Sequence, residues 1–226
     1  MPDTHRREWR ADPAAVRRSL EESLERLGLD RVDTLYLHDP DESGLELAGA
    51  VRQGLESLAE LREDGLVTRI GVGSKSEEAL ALAVDGDVRI DEVMCSGRWT
   101  LADREASRRV LPAALERGVD VVAVSVYSSG LLARARPTPD LRDEYGPVRP
   151  ERLALAHALA DVAERHGTDL PTLALQFPGR HPAVVAVAFG TGTPEHVGQS
   201  VARWDVDVAP EAWVEVEDVV AAGGAS

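Results

Sequence analysis

Thr34-Leu35-Tyr36-Leu37-His38-Asp39-Pro40-Asp41 is a short apolar run that ends abruptly in a histidine and a cluster of acids. Read as a β-strand, it places Thr34, Tyr36 and His38 on one face and Leu35 and Leu37 on the other. A histidine at the C-terminal mouth of a buried parallel strand stands where folds of alternating strands and helices keep their chemistry. What surrounds the run decides whether that reading holds.

Just before it, Asp12 is placed to cap a helix and Pro13 suits a first turn. Val16, Leu20, Leu24 and Leu27 then recur at spacings of three and four, and Gly28 ends the segment. Just after it, the spacing of Val51, Leu55, Leu58 and Leu61 predicts a helix over 45–64, stopped by Gly65. The alternation continues with a strand over 68–74 and a helix over 77–84 capped by Ser76. A strand over 91–96, a helix over 103–117 and a strand over 119–126 follow. That last strand is rich enough in β-branched residues to be buried on both faces. A long loop covers 128–150, and loops of that length are often functional. A helix over 151–166, a helical turn over 172–177, a strand over 183–189 and helices over 194–202 and 210–221 complete the chain. No hairpin signal interrupts the series, so the class is α/β with a parallel sheet. The short glycine-bearing turns favour a (β/α) barrel, but five strands fall short of the eight a closed barrel needs. The expectation is an incomplete barrel of about five parallel strands, a single domain over 1–226.

Composition narrows the partners. The 226 residues carry a formal net charge of -15, which excludes a nucleic-acid binder, since phosphate contacts need clustered Lys and Arg. Cys95 is the single cysteine, so an intrachain disulfide is excluded and the residue reads as a small core side chain. The charged stretch 1–10 has no apolar core of a signal peptide, and no run approaches the roughly 20 apolar residues of a membrane span. A cytoplasmic protein is expected. Lys75 is the only lysine.

Several stretches together carry a resemblance. Leu20 to Asp33 leads into Leu35-Tyr36-Leu37-His38-Asp39-Pro40-Asp41. Leu58 to Gly73 contains Asp64-Gly65-Leu66-Val67-Thr68-Arg69-Ile70-Gly71-Val72-Gly73. Ser96-Gly97-Arg98-Trp99-Thr100-Leu101, Ser128-Ser129-Gly130-Leu131-Leu132 and Gly190-Thr191-Gly192-Thr193-Pro194-Glu195 follow in order. The series resembles the aldo-keto reductases from their third helix onward, most closely the sugar-dehydrogenase branch that oxidises aldoses such as fucose at the anomeric carbon. The resemblance implies an eight-stranded TIM barrel, a small carbonyl or sugar substrate, NADP or NAD as cofactor and a catalytic tetrad of Asp, Tyr, Lys and His. Only the histidine maps, to His38. The Asp, Tyr and Lys belong to the family's first three strands, which by this reading precede Met1. Lys75 lies in a different strand-exit loop from the family's lysine. Ser128, Ser129, Gly130 and Leu131 match the pyrophosphate loop. Gly190, Thr191, Gly192, Thr193 and Glu195 match the segment that cradles the adenosine phosphate at a helix N-terminus. Gly192, Gln199 and Ser200 depart from the branch, which has Arg, Glu and Asn there. Losing the Arg removes the partner of a 2′-phosphate, so weak NADPH binding follows. Trp99 matches an aromatic position that shapes the substrate pocket.

Each residue also has a plainer reading. Asp39 and Asp41 are explained by turn formation around Pro40, and no metal is expected. Tyr36 reads as a buried core tyrosine. His157, His166, His181 and His196 lack ligand spacing. Three functions stay open at this stage. The first is an aldo-keto reductase chain without its N-terminal part and of low or no redox activity alone. The second is a cofactor-independent isomerase, dehydratase or lyase using His38 as acid and base. The third is a non-catalytic binding or regulatory subunit. A partial barrel has uncovered sheet edges, which predicts a homodimer or an unstable monomer.

Overall fold

The computed structural model describes residues 9–143 and 146–223; the charged stretch 1–8 lies outside them. The chain divides into two compact units, one of residues up to Met94 with Arg109–Asp120, the other of Cys95–Arg108 with residues from Val121 onward.

The first unit opens with α1 (Pro13–Leu27). The Asp12 carboxylate accepts the Ala15 amide at 3.0 Å, and Gly28 closes the helix at φ 67°, as the capping signals predict. Leu20 and Leu24 face inward, but Leu27 is exposed. β1 (Val32–His38) follows, then a 3-10 turn at Pro40–Glu42 and α2 (Leu47–Glu63), whose Val51, Leu55, Leu58 and Leu61 are buried as expected. β2 (Val67–Ser74) pairs in parallel with β1, setting Tyr36 against Gly71 and His38 against Gly73. At Gly71 a Cβ would sit 2.1 Å from the carbonyl oxygen of Glu92, so the position accepts no side chain. α3 (Glu77–Asp85) is capped by the Ser76 hydroxyl.

β3 (Glu92–Ser96) leads to the main departure from the expected elements. In place of a helix over 103–117 there is a 3-10 turn at Glu105–Ser107 and then α4 (Val110–Arg117). Side chains cause the delay. The Thr100 hydroxyl accepts the amides of Ala102 and Asp103, and the Asp103 carboxylate accepts that of Glu105. These bonds give the backbone an alternative to the helix.

In the second unit, β4 (Asp120–Val124) stops before the expected 126 because Ser125 turns to φ 59°. Val121 and Ala123 are fully buried while Val122 and Val124 are only partly so; the strand has one buried face, not two. The 128–150 loop contains two two-residue strands, β5 (Arg142–Asp143) and β6 (Gly146–Pro147), which pair antiparallel where no hairpin is signalled. Arg152 fixes this loop, donating to the Asp143 carboxylate at 2.8 Å and to the Ala102 carbonyl. α5 (Pro150–Arg165), α6 (Leu170–Gln176) and α8 (Pro210–Ala222) enclose a core of Leu159, Val162, Leu173, Trp213 and Val216. β7 (Val184–Ala188) pairs in parallel with β4, with a bulge that leaves Val185 58% exposed, and α7 (Pro194–Trp204) follows it. Among the described residues five parallel strands are ordered β1-β2-β3-β4-β7, the parallel α/β class expected.

Candidate active site

The chemistry-bearing residues fall into two constellations, one in each unit. The first is built at the exit of β1. His38 is the last residue of the strand and its side chain is 70% exposed, whereas that of Asp39 is 18% exposed. His38 Nδ1 lies 3.2 Å from Asp39 Oδ2. Asp39 adopts φ 45°, ψ 56°, and its amide donates to the Gly73 carbonyl at 2.8 Å. Burial above all, then Asp41 and Glu42, raise the Asp39 pKa, while His38 and Lys75 pull it down. Asp41 and Asp39 do not act as a pair: the Asp41 carboxylate accepts the Ser74 hydroxyl at 2.6 Å. Lys75 Nζ is 3.1 Å from Glu42 Oε1. A cavity of about 320 Å³ opens beside the strand, lined by His38, Tyr36, Leu35, Leu37, Val16 and Leu20 among others.

Tyr36 is not a buried core tyrosine. It is half-buried, and its hydroxyl donates to Glu92 Oε1 at 2.6 Å; Glu92 Oε2 accepts from Arg69, which also donates to Asp120 at 2.6 Å. Burial and then the Glu92 carboxylate push the Tyr36 phenol above its ordinary range. A tyrosine so held is a poor proton donor.

The second constellation joins the exits of β4 and β7. Ser125, Ser128, Ser129 and Gly130 all have positive φ. The amides of Ser128, Gly130 and Leu131 donate to carbonyls within this turn, and the Ser125 hydroxyl lies 3.0 Å from that of Ser96. Ser125 and Ser129 are exposed and Ser128 is buried. Leu131 is fully buried, which makes it a core anchor of the turn and not a side-chain contact for a cofactor.

At the β7 exit, Gly190, Thr191, Gly192, Thr193 and Glu195 are all exposed, and a Cβ at either glycine would meet nothing within 4 Å. Thr193 precedes α7 without a side-chain capping bond. Thr191 Oγ1 lies 3.2 Å from His196 Nδ1. This end of α7 combines open space with first-turn amides that no threonine caps, an arrangement that fits a phosphate. The two exits meet through Tyr127 and Phe189, whose rings are edge-to-face with centroids 6.1 Å apart, and Tyr127 Oη lies 3.4 Å from the buried Ser200 Oγ.

Trp99 is held on every side. Its Nε1 donates to the Pro178 carbonyl at 3.1 Å, and its ring packs on Phe177 and His181. The Arg104 guanidinium lies 3.4 Å from the Phe177 ring centre and 5.3 Å from that of Trp99, and burial lowers its pKa to about 10. The sequence alone did not single out Tyr127, Phe189 or Arg104, and His196 stood out only as a histidine without metal-ligand spacing. For Tyr127 and Phe189 a signal existed, since each immediately precedes a recognised loop.

The chain matches the family described as the Aldo/keto reductase family over residues 3–221, so the likeness begins ahead of α1 and not with it. D-threo-aldose 1-dehydrogenase of Pseudomonas sp is 38% identical over 218 residues, covering 96% of this chain and 65% of that protein. Pyridoxal 4-dehydrogenase of Microbacterium luteolum is 30% identical over 205 residues, covering 88% of this chain and 59% of that protein. This chain therefore spans 65% or less of the length of these two relatives. Among solved structures, the holo form of aldo-keto reductase AKR11C1 from Bacillus halodurans superposes with a TM-score of 0.76 at 24% identity, covering 93% of this chain and 68% of that one. Glycerol dehydrogenase AKR11B4 from Gluconobacter oxydans gives 0.75 at 21% identity, covering 96% and 67%. At these identities the two structures show the shared fold.

Proposed function

Because the chain belongs to the aldo/keto reductase family, we propose that it carries the substrate-facing histidine and the dinucleotide cradle of an NAD(P)-dependent oxidoreductase acting on aldoses or related small carbonyls. The observation that carries this reading is His38 at the exit of β1, its ring exposed beside a cavity and held on one side by a shielded carboxylate. The sugar substrate is supported by the 38% identity to an aldose dehydrogenase.

A nicotinamide, when bound, supplies or takes up hydride. The chain's own residues do the rest. His38 hydrogen-bonds the oxygen on the reacting carbon. The uncapped first turn of α7 and the Gly190–Thr193 loop hold phosphate, and the exposed Ser125 and Ser129 hydroxyls sit on the neighbouring exit. Gly192 offers no guanidinium to a 2′-phosphate, so NADPH gains nothing over NADH. Trp99 keeps the substrate-facing role that the family likeness implies for an aromatic there, and its ring is fixed by Phe177, His181 and the Pro178 carbonyl. We place the protein's work in the cytoplasm, where a lone buried thiol such as Cys95 stays reduced.

The reading includes low redox activity for this chain alone. Tyr36 is committed to Glu92 and Lys75 lies against Glu42, so neither is an activated pair beside His38. A general acid is worth about 10² to 10⁴-fold in rate, which sets the size of the loss. The His38–Asp39 pair also favours a second reading, acid–base catalysis without a cofactor, because a carboxylate-oriented imidazole is a complete general base.

Aldose oxidation followed by the appearance of reduced nicotinamide tests both. Slow turnover that needs the nicotinamide and falls at least about 10²-fold in His38→Ala is the expected result. Turnover unchanged in His38→Ala removes the assignment, and conversion of substrate without nicotinamide moves it to the second reading.

A further inference from the structure

The backbone at Asp39 is strained twice over. A non-glycine residue at φ 45° is uncommon, and a residue preceding proline is pushed toward extended conformations, yet Asp39 is left-handed and precedes Pro40. Such positions are costly and persist where the surroundings over-determine them.

What the strain achieves is visible in the geometry. Successive side chains of a strand point to opposite faces, so an extended Asp39 would direct its carboxylate away from His38. The left-handed turn brings Oδ2 to 3.2 Å from Nδ1. The turn is fixed from both sides, by the Asp39 amide bonded to Gly73 and by the buried Pro40. The carboxylate is the shielded member and the imidazole projects outward, as in a base oriented by a buried acid.

We infer that Asp39 is a positioning residue that holds His38 in the tautomer protonated on Nδ1, so that the neutral ring presents Nε2 as an acceptor to a substrate hydroxyl. This rests on His38 facing the substrate, and it deepens that reading by naming the substrate side. An acceptor nitrogen suits the hydroxyl form, such as the anomeric hydroxyl of an aldose, whereas a carbonyl oxygen needs a donor. The site is therefore set to receive a hydroxyl-bearing sugar. The step asked of the residue is a single hydrogen bond from substrate O–H to Nε2, with Nδ1–H kept on Asp39.

The test is imidazole ¹⁵N NMR on the intact chain, recorded at a pH above which the ring signals no longer move, with the His38 signals identified by their loss in His38→Gln. Two variants bracket the effect. Asp39→Asn keeps the shape and tolerates the left-handed backbone but removes the charge, and Asp39→Gly removes the carboxylate and the strain together. The wild type is expected to show protonated Nδ1 and acceptor Nε2. The ratio should move toward the Nε2–H tautomer by about tenfold in Asp39→Gly, the size of one charge-assisted hydrogen bond, and by less in Asp39→Asn.

An Nε2–H tautomer in the wild type, or a ratio unmoved in Asp39→Gly, overturns the inference. The readout does not depend on turnover. If His38→Ala leaves aldose oxidation intact while the tautomer shifts as described, the proposed catalytic function falls and Asp39 still orients the ring. If the tautomer fails to shift, the positioning role falls whatever His38→Ala does.

Discussion

Gly71 and Asp39 show two ways a single residue carries information. At Gly71 the restriction is steric: a Cβ would lie 2.1 Å from the Glu92 carbonyl, which is backbone and cannot swing aside. Gly71→Ala should cost about 3 kcal/mol, the upper range for overpacking, read as a lower midpoint in urea unfolding; an unchanged midpoint contradicts the packing described. Gly190→Ala makes the contrast, since nothing lies within 4 Å and φ is not positive. It should leave the midpoint within about 0.5 kcal/mol, as open surface positions do. His38 could be read from its strand because the Tyr36-Leu37-His38-Asp39-Pro40 context is local. The strain at Asp39 could not, because nothing in a letter code says that a pre-proline aspartate turns left-handed. The setting of Tyr36 is hidden from the sequence for a related reason: its partner Glu92 lies 56 positions away, on another strand.

At the scale of elements, capping and periodicity placed most helices within a residue or two. Asp12, Ser76 and Gly28 do locally what their types predict. The start of α4 failed because Thr100 and Asp103 compete for amides the helix would use, and the competition turns on side-chain rotamers rather than on spacing. Asp169 is the cap whose loss should be felt furthest. It accepts the amide and hydroxyl of Thr172 at the start of α6 and also the Arg203 guanidinium of α7. Burial pushes its pKa up, but these hydrogen bonds together outweigh it, and the net shift is downward from 3.8. A depressed carboxyl contributes stability above the unfolded pKa, and that contribution disappears as pH falls below about 4 through the folded value. Asp169→Ala should therefore lose about 1 kcal/mol at neutral pH, and the gap from wild type should narrow in unfolding measured below that pH. A gap independent of pH would assign the loss to packing.

At the scale of the whole molecule, β1 and β7 stand at the two ends of the strand order, so each offers a strand edge without a neighbour among the described strands. Val185, Val197, Val201 and Trp204 add exposed apolar surface along β7 and α7. Open edges invite pairing, while a net charge of -15 opposes it. Self-association should thus strengthen as salt screens the charge, and light scattering that finds a monomer at every ionic strength contradicts it. The parallel α/β class was legible because alternation of periods is a property of the whole chain; the edges were legible only as a shortfall of strands against eight. The proposed function has the dinucleotide cradle and His38 working together without a preference for the 2′-phosphate. Titration of the intact chain with NADH and with NADPH, followed by nicotinamide fluorescence, tests it most directly. Saturable micromolar binding of NADH, at least as tight as that of NADPH, is the predicted result; flat titrations with both, or clearly tighter NADPH, would contradict it.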